Sequence, residues 1–472
     1  MAWKQLEPTG PHLSYLLISF FLLTYALFSL FIRNRLHLSE PPLATLFGII
    51  FGPKGIGALD PVRWGLGDTE LQELTRVVLG LECFAVGIGL PKYYFVRHWK
   101  SVAMLLGPVM AFGWLVSAAF IHWILNVGFP TSLVIAACLT PTDPVLAASV
   151  LNNSKFSSRV PKRIRDLLAA ESGCNDGVSF PFLYFGLAIL LRSTALGTFK
   201  KWLLITIFWQ CLLGIILGFT IGHFANKLLR FADAKETISR ASYLVFYILL
   251  ALFCVGLASI LGLDDFLLSF SAGIGFSRDG WFAANMAETK LPEIIDLLVN
   301  SSMFIYFGAL IPWEQFHGFY ELTVPKLFGL LVLILLFRRL PATLLLYRIT
   351  PDLHTFREAL FAGHFGPMGV GALFLAIEAR AQLETDTSEP LERPPPQLDP
   401  TKRHVVDIIW PVICFVVLGS TMVHGLSTLA ISVGSHFRRK EGERAPLIGA
   451  EREGFHGMEH DAGGGDSASE SE

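Results

Sequence analysis

Long apolar runs recur along the chain and constrain its fold more than any other feature. About thirteen of them approach the roughly 20 residues that a helix needs to cross a hydrocarbon core. Only 16% of the residues are charged, against about 25% in a typical soluble domain. The runs cover approximately residues 12–32, 41–59, 71–91, 101–125, 131–151, 164–191, 202–229, 241–262, 264–277, 293–313, 325–347, 356–380 and 404–434. The sequence therefore predicts an all-α polytopic membrane protein with about 13 transmembrane helices.

The distribution of basic residues predicts the orientation of these helices. Lys and Arg concentrate in alternate loops, beginning with Arg33 and Arg35 after the first run, and such loops are held on the cytoplasmic side. This pattern places the N-terminus outside and the C-terminus in the cytoplasm. We expect a transmembrane domain over residues 1–437, a disordered proline-rich polar loop over 381–403 on the outer face, and a short disordered cytoplasmic tail over 438–472.

Two of the runs are interrupted by proline and glycine. The fifth contains Leu-Thr-Pro-Thr-Asp-Pro at 139–144, and the twelfth contains Gly-His-Phe-Gly-Pro-Met-Gly-Val-Gly at 363–371. Proline removes a helical hydrogen bond, and glycine permits unwinding. If the seventh run is a linker, each interruption falls in the fifth member of a six-run set. Because matching broken helices in two halves of a chain point to a transporter's substrate site, the sequence predicts inverted repeats with the site at the interruptions.

Polar side chains cluster in the sixth run. Ser172, Asn175 and Asp176 are spaced i, i+3 and i+4, which puts them on one face of a helix. Charged groups in hydrocarbon are costly and often mark ion pathways. The three residues of this face, together with Thr142 and Asp143 from the first interruption, supply the oxygen ligands that a hard cation takes. The sequence therefore predicts a sodium or lithium site at Asp176.

Asp176 can also take a proton, because burial favours the neutral form of a carboxyl group. Proton and cation then compete for one position, and such competition predicts a cation/proton antiporter. One alternative is that the polar residues only join helices. A second is a proton-coupled symporter of another small solute, although an anionic solute would favour helix N-termini and basic residues. A third is an intramembrane aspartyl protease, suggested by Gly-Leu-Gly-Asp at 65–68, but the second aspartate is missing; we therefore expect no enzyme activity.

Two adjacent arginines, Arg338 and Arg339, fall in the middle of an apolar run. An unpaired guanidinium would be costly there, so we expect one of them to pair with Glu171. The other arginine is expected to extend its head group to the membrane interface.

Three further residues are accessory candidates. His364 lies in the second interruption and is either a pH sensor or proton relay, or a packed neutral histidine. Asp264 and Asp265 lie where the eighth and ninth runs meet. They could line an outer vestibule for cations, but solvated carboxylates at the membrane interface are the preferred interpretation.

Four motifs, in this order, resemble one family. They are Thr-Pro-Thr-Asp-Pro at 140–144, Ala-Glu-Ser-Gly-Cys-Asn-Asp-Gly at 170–177, Phe-Arg-Arg-Leu-Pro at 337–341 and Gly-His-Phe-Gly-Pro at 363–367. The combination is similar to the fungal plasma-membrane alkali-cation (sodium)/proton antiporters, relatives of the prokaryotic NhaP-type monovalent cation:proton antiporters. The resemblance covers about residues 1–437. It implies an NhaA/NhaP-like antiporter fold with two crossed broken helices.

The same resemblance implies a homodimer that works by an elevator movement. The moving core would comprise about residues 131–191 and 325–434 with the 101–125 region, and the dimerisation helices about 12–91 and 241–313. Asp176 would carry the ion or proton, Glu171 with a core arginine would stabilise the site, and the lining residues would be Thr142, Asp143, Ser172 and Asn175.

The implied activity is exchange of cytoplasmic sodium or lithium for external protons, with potassium left open, giving salt tolerance and pH homeostasis. The expected partners are alkali cations, protons, membrane lipids and a second copy of the chain. No cofactor and no nucleic acid are expected.

Overall fold

The computed structural model describes residues 8–36, 38–144, 146–147, 160–191, 195–286 and 291–427. Nearly all of this part is helical, which confirms the all-α prediction. The predicted tail over 438–472 lies outside the described residues. In chain order the helices are α1 Gly10–Phe31, α2 Glu40–Phe51, α3 Asp68–Gly89, α4 Tyr94–Met104, α5 Met110–Leu125, α6 Phe129–Cys138, α7 Lys162–Leu190, α8 Ala195–Lys201, α9 Gly214–Ala234, α10 Arg240–Leu261, α11 Asp265–Ser277, α12 Trp281–Met286, α13 Leu291–Leu310, α14 Val324–Phe337, α15 Leu340–Leu346, α16 Phe356–His364, α17 Val370–Thr385 and α18 Pro400–Gly425.

Several helical stretches are long and apolar enough to cross a membrane. Six qualify by length and composition, and four shorter apolar helices accompany them within the described part of the chain. The six are Gly10–Phe31, Tyr94–Leu125, Phe199–Ala234, Ser242–Leu261, Val324–Ile349 and Pro400–Gly425. Large apolar side chains are exposed on their outer faces, including Leu27, Phe224 and Ile260, as expected where hydrocarbon surrounds the protein. The chain is a multi-pass membrane protein, and the number 13 remains a prediction.

The predicted continuous run over 325–347 is two helices. α14 ends at Phe337 and α15 begins at Leu340, so Arg338 and Arg339 lie at the bend between them. Pro341 lies in the first turn of α15, where its missing amide donor costs nothing, whereas inside one long helix it would remove a hydrogen bond. The bend directs both arginines away from the helix axis and into the protein.

α11 lies at the centre of the fold. All of its residues except Ile274 are buried, and it packs against α3, α7, α9 and α10. A helix that is buried on all sides must satisfy its N-terminal amides within the protein. Asp264 does so, because its carboxylate accepts hydrogen bonds from the amides of Phe266 and Leu267 at 3.0 and 2.9 Å.

The polar loop between α17 and α18 is shorter and better ordered than predicted. It covers residues 386–399, because the two helices extend into both ends of the predicted 381–403 segment. Ser388 donates a hydrogen bond to Glu378 at 2.8 Å, and the amide of Leu391 donates to Glu384 at 3.1 Å. These carboxylates on α17 hold the loop against the helix, so the prediction of disorder is wrong for these residues.

Candidate functional site

The first interruption presents its backbone to the polar face of α7. After α6 ends at Cys138, residues 139–143 are not helical. The amide of Thr142 donates to Oδ1 of Asn175 at 3.0 Å, and Nδ2 of Asn175 donates to Oγ1 of Thr142 at 2.6 Å. The hydroxyl of Thr142 also lies 2.8 Å from that of Ser172. Three of the residues predicted to line the site therefore form one hydrogen-bonded group.

Asp143 connects the first interruption to the second. Residues 365–369 separate α16 from α17 and are not helical. The amide of Asp143 donates to the carbonyl of Pro367 at 2.8 Å. Its carboxylate accepts from the amide of Leu146 at 2.8 Å and from that of Val370, the first residue of α17, at 3.4 Å. Asp143 thus satisfies backbone donors of both interrupted segments.

Asp176 lies on α7 facing α17 and is only 2% exposed. A Cβ atom at Gly371 would lie 2.2 Å from its Oδ1, so glycine is required for this approach of the α17 backbone. Its Oδ2 accepts a weak hydrogen bond from the thiol of Cys83 on α3 at 3.8 Å. Within the described residues, Oδ1 has no hydrogen-bond donor. A buried carboxylate oxygen without a donor is unfavourable, and a cation or a proton relieves that cost.

Glu171 and Arg339 form a buried ion pair one turn before Asp176. The guanidinium binds both carboxylate oxygens, and the Nη2–Oε2 distance is 2.5 Å. Its Nε donates to the carbonyl of Ala362 at 2.8 Å, near the end of α16. Glu171 was expected to pair with one of the two arginines, and the structure selects Arg339.

Arg338 binds backbone carbonyls of both interruptions. Its guanidinium donates to Leu139 and, at 2.5 Å, to Gly366. Arg338 and Arg339 are each 7% exposed, so the expectation that one of them reaches the membrane interface is wrong. The reason is that the interrupted helices leave carbonyls without helical partners, and these supply acceptors in the interior.

Asp264 lies close to Asp176. A Cβ atom at Gly177, the residue after Asp176, would lie 2.5 Å from Oδ1 of Asp264. Asp264 is buried, and its Oδ2 has no hydrogen-bond donor among the described residues. The preferred interpretation of a solvated interfacial carboxylate is therefore wrong, because this residue begins a helix that is buried throughout.

Asp265 is also buried, but it is paired. It forms an ion pair with Arg76 of α3 and accepts a hydrogen bond from Ser259 at 2.8 Å. Arg76 also pairs with Glu73 at 3.1 Å. Asp265 therefore contributes to packing between α3 and α11, and here too the expectation of a solvated group is wrong.

A cavity of about 270 Å³ leads from the 386–399 loop to Asp264. Its acidic lining residues are Glu73, Asp264, Asp265, Glu378 and Glu389. We call it the acidic cavity. Glu378, on α17, was missed in the sequence although it is an ionisable residue in an apolar run, the same signal that selected Asp176. Its buried carboxylate accepts hydrogen bonds from Gln72, Tyr184, Gln382 and Ser388.

His364 is not brought to the polar cluster. Its Nε2 lies 3.2 Å from the hydroxyl of Ser427, and its ring stacks on His424 with centroids 5.2 Å apart. Neither partner belongs to the predicted ion site. A role in sensing pH remains a prediction.

Asp68, the residue behind the protease alternative, has a structural partner. It is the first residue of α3 and pairs with Arg380 at 2.8 Å. This pair joins the start of α3 to α17.

Comparisons with known proteins agree with this arrangement. The family model described as "Sodium/hydrogen exchanger, transmembrane" matches residues 20–433. A probable Na+/H+ antiporter of Schizosaccharomyces pombe is 43% identical over 95% of this chain, and Na+/H+ antiporter 2 of Zygosaccharomyces rouxii is 44% identical over 92%. The chain spans 62% and 54% of the lengths of these two relatives.

The fold is similar to that of a solved antiporter. The structure of the sodium proton antiporter MjNhaP1 from Methanocaldococcus jannaschii at pH 8 matches with a TM-score of 0.65 and 17% identity, covering 91% of this chain and 98% of that one. The resemblance found in the four sequence motifs is thus confirmed. The chain belongs to the sodium/hydrogen exchanger family.

Proposed function

We propose that this protein exchanges sodium for protons across a membrane and that Asp176 binds the two in turn. The observation that carries the proposal is the buried Asp176 carboxylate, whose Oδ1 has no donor within the described part of the chain. The names of the relatives, which are Na+/H+ antiporters, support the choice of ions.

The oxygen atoms of the first interruption and of the polar face of α7 suit a small alkali cation. Thr142 and Ser172 offer hydroxyl oxygens, and Asn175 offers an amide oxygen that now accepts from the Thr142 amide. Oxygen ligands of this kind are those that hard cations take. Asp143 contributes negative charge from the other side of Thr142. These residues would bind sodium or lithium. Potassium is larger, so it would compete to the extent that the oxygen ligands can move apart.

The exchange follows from the single free position at Asp176. When sodium occupies Oδ1 the carboxylate is neutralised, and a proton on the same oxygen neutralises it equally. The two cannot be bound there together. A buried anionic Asp176 is costly to move through the protein, so only the loaded forms would cross between the two sides. Each sodium ion that Asp176 carries from one side is therefore exchanged for a proton that it carries back from the other.

Arg338, Arg339 and Glu171 would position this group without binding the ion. Arg339 is neutralised by Glu171, and Arg338 binds carbonyls of both interruptions. They join α7, α16 and the two interruptions into one unit. This unit is suited to move as a rigid body, as an elevator mechanism with crossed broken helices requires.

Access from one side would use the acidic cavity. This cavity lies beside Glu73, near the start of α3. Asp176 contacts Cys83, further along the same helix. We assign α3, with α1, α2, α10, α11 and α13, to a static dimerisation domain, and the interrupted helices to the moving core of a homodimer. The protein would act in the plasma membrane, removing cytoplasmic sodium to give salt tolerance and pH homeostasis.

The test is cation-induced proton movement in sealed vesicles. The purified protein is reconstituted with an imposed pH gradient, and a pH-sensitive dye reports proton release after addition of sodium, lithium or potassium. Sodium and lithium should dissipate the gradient, also when the membrane potential is clamped. No response to any of the three ions would contradict the proposal and would favour a proton-coupled symporter of another solute.

Asp386→Asn is a matched control for Asp176→Asn. Asp386 is also an aspartate, but its side chain is 78% exposed and, among the residues that the structure describes, pairs only with Lys402, at 3.6 Å. Asp176→Asn should abolish the sodium response and Asp386→Asn should leave it unchanged. Equal activity of both variants would exclude Asp176 as the shared binding group.

A further inference from the structure

A second cavity of about 570 Å³ lies at the end of α3 that is remote from the acidic cavity. Its volume is in the range of ligand-binding cavities, roughly 300 to 1,000 Å³. The walls are mostly apolar and include Leu90, Phe95, Ile215, Phe219, Phe270 and Ile274. We call it the apolar cavity. Walls of this kind offer few oxygen ligands, so they are poorly suited to an alkali cation.

Two basic residues line the mouth of the apolar cavity. Lys92 follows the end of α3, and Arg278 follows the end of α11. Arg278 lies over the rings of Tyr93 and Phe219, at 5.8 and 5.7 Å from their centroids. Neither Lys92 nor Arg278 forms an ion pair with a carboxylate in the described part of the chain.

The acidic residue next to Arg278 does not neutralise this mouth. Asp279 pairs with Arg230 at 2.6 Å and accepts from Asn226 at 3.0 Å. The two cations at the mouth therefore remain available to an anion. Long basic side chains near helix ends lie at the level of lipid head groups.

The apolar cavity is also open to the surrounding hydrocarbon. Ile215 and Ile216 line it from α9 and are 41% and 54% exposed, and Val96 lines it from α4 and is 75% exposed. In a membrane protein such side chains face lipid chains. A molecule with an apolar chain can thus enter from the bilayer while its head group stays at the basic mouth.

We propose that the apolar cavity binds one anionic phospholipid. Lys92 and Arg278 hold its phosphate-bearing head group, and an acyl chain lies in the cavity along Phe219 of α9 and Phe270 of α11. The inner end of the chain contacts Cys174, two residues before Asp176. The lipid therefore occupies the space between α11 and the helix that carries the ion site.

The experiment measures lipid binding to the purified full chain in detergent by native mass spectrometry. Dioleoyl-phosphatidylglycerol and dioleoyl-phosphatidylcholine are titrated separately. Phosphatidylglycerol should bind at least about tenfold more tightly. The variant Lys92→Ala/Arg278→Ala should weaken phosphatidylglycerol binding roughly 30-fold, since each basic residue near a lipid surface contributes about 1 kcal/mol.

Arg97→Ala/Lys100→Ala is the matched control. Arg97 and Lys100 are exposed basic residues of α4 and do not line the cavity. This variant therefore loses the same charge as Lys92→Ala/Arg278→Ala but leaves the mouth unchanged. It should bind phosphatidylglycerol within about twofold of the unchanged protein if the mouth is the specific site. Equal weakening in the two double variants, or equal binding of the two lipids, would overturn the proposal.

Two further measurements test the acyl chain. Thr220→Trp places a large side chain at the cavity wall and should reduce binding of phosphatidylglycerol without removing either cation. A phosphatidylglycerol with a photoactivatable group at the end of its acyl chain should crosslink to the segment containing Cys174 or to that containing Phe270. Displacement of the lipid by inorganic phosphate at millimolar concentration, or crosslinks only to outer surfaces of the helices, would show that no acyl chain occupies the cavity.

Discussion

Asp143 and Asp176 are buried carboxylates at the same site, and their surroundings differ. Both oxygens of Asp143 accept hydrogen bonds from backbone amides at the interruptions. Asp176 has one weak thiol donor at Oδ2 and, in the described residues, none at Oδ1. The difference indicates separate tasks: Asp143 fixes the geometry of the interruptions, and Asp176 is left to bind what is transported. Glu171 extends the comparison, since it is fully paired with Arg339.

The largest expected effect on sodium binding comes from changing Asp176. Asp176→Asn should abolish sodium-dependent stabilisation of the protein, which in the unchanged protein amounts to about 2.7 kcal/mol at a sodium concentration 100 times the Kd. Thermal unfolding in detergent, with sodium chloride compared with choline chloride at equal ionic strength, measures it. A sodium response of normal size in this variant, with Asp143→Asn lacking it, would reverse the assignment of the two carboxylates.

The largest expected effect on the stability of the protein itself comes from breaking the ion pair of the third carboxylate, Glu171. Arg339→Ala should lower the free energy of unfolding by about 3 to 5 kcal/mol, because it leaves Glu171 buried without a countercharge. Glu171→Gln/Arg339→Gln should be less destabilised than Arg339→Ala. Chemical unfolding of the purified variants provides the measurement. If the double variant is the less stable one, Glu171 does not depend on Arg339 for its charge balance.

A smaller loss is expected at Asp143. Asp143→Asn retains an oxygen that can accept from Leu146 or Val370 but loses the charge, so we expect about 1 kcal/mol of destabilisation. Sodium should still stabilise the variant, with weaker affinity. Sodium titrations followed by thermal unfolding test both statements, and Asp386→Asn serves as the exposed control. A variant as stable as the control would show that these backbone amides do not need the carboxylate.

The smallest effect should come from Cys83. Cys83→Ala removes only a weak donor to Asp176 and a small side chain, so sodium affinity should change by less than about threefold. Isothermal titration with sodium measures it. A change of tenfold or more would mean that Cys83 controls the charge of Asp176, and that the description of this carboxylate as nearly free of donors is incomplete.

Local patterns predicted much of the site. Helical spacing placed Ser172, Asn175 and Asp176 on one face, and proline with glycine marked both interruptions. The need of a buried cation for a countercharge predicted the pair of Glu171 with an arginine. Each of these inferences depends on neighbours in sequence or on one strong electrostatic requirement.

Other features depend on packing between distant segments. The burial of Asp264 and Asp265 follows from the central position of α11, which its own sequence does not encode. The carbonyls that accept from Arg338 became available only where two interruptions meet. The order of the 386–399 loop depends on Glu378 and Glu384 of the neighbouring helix. Such contacts between distant segments cannot be predicted from hydrophobic periodicity or from composition.

Arg338 has an electrostatic consequence. It binds carbonyls that follow the C-termini of α6 and α16, and a helix C-terminus carries about half a negative charge. One guanidinium therefore balances two helix dipoles. Asp143 places its negative charge at the N-terminal end of α17, which carries the positive end of that helix dipole. With the dipoles and the Glu171–Arg339 pair neutralised, the charge that changes during a transport cycle is that of Asp176.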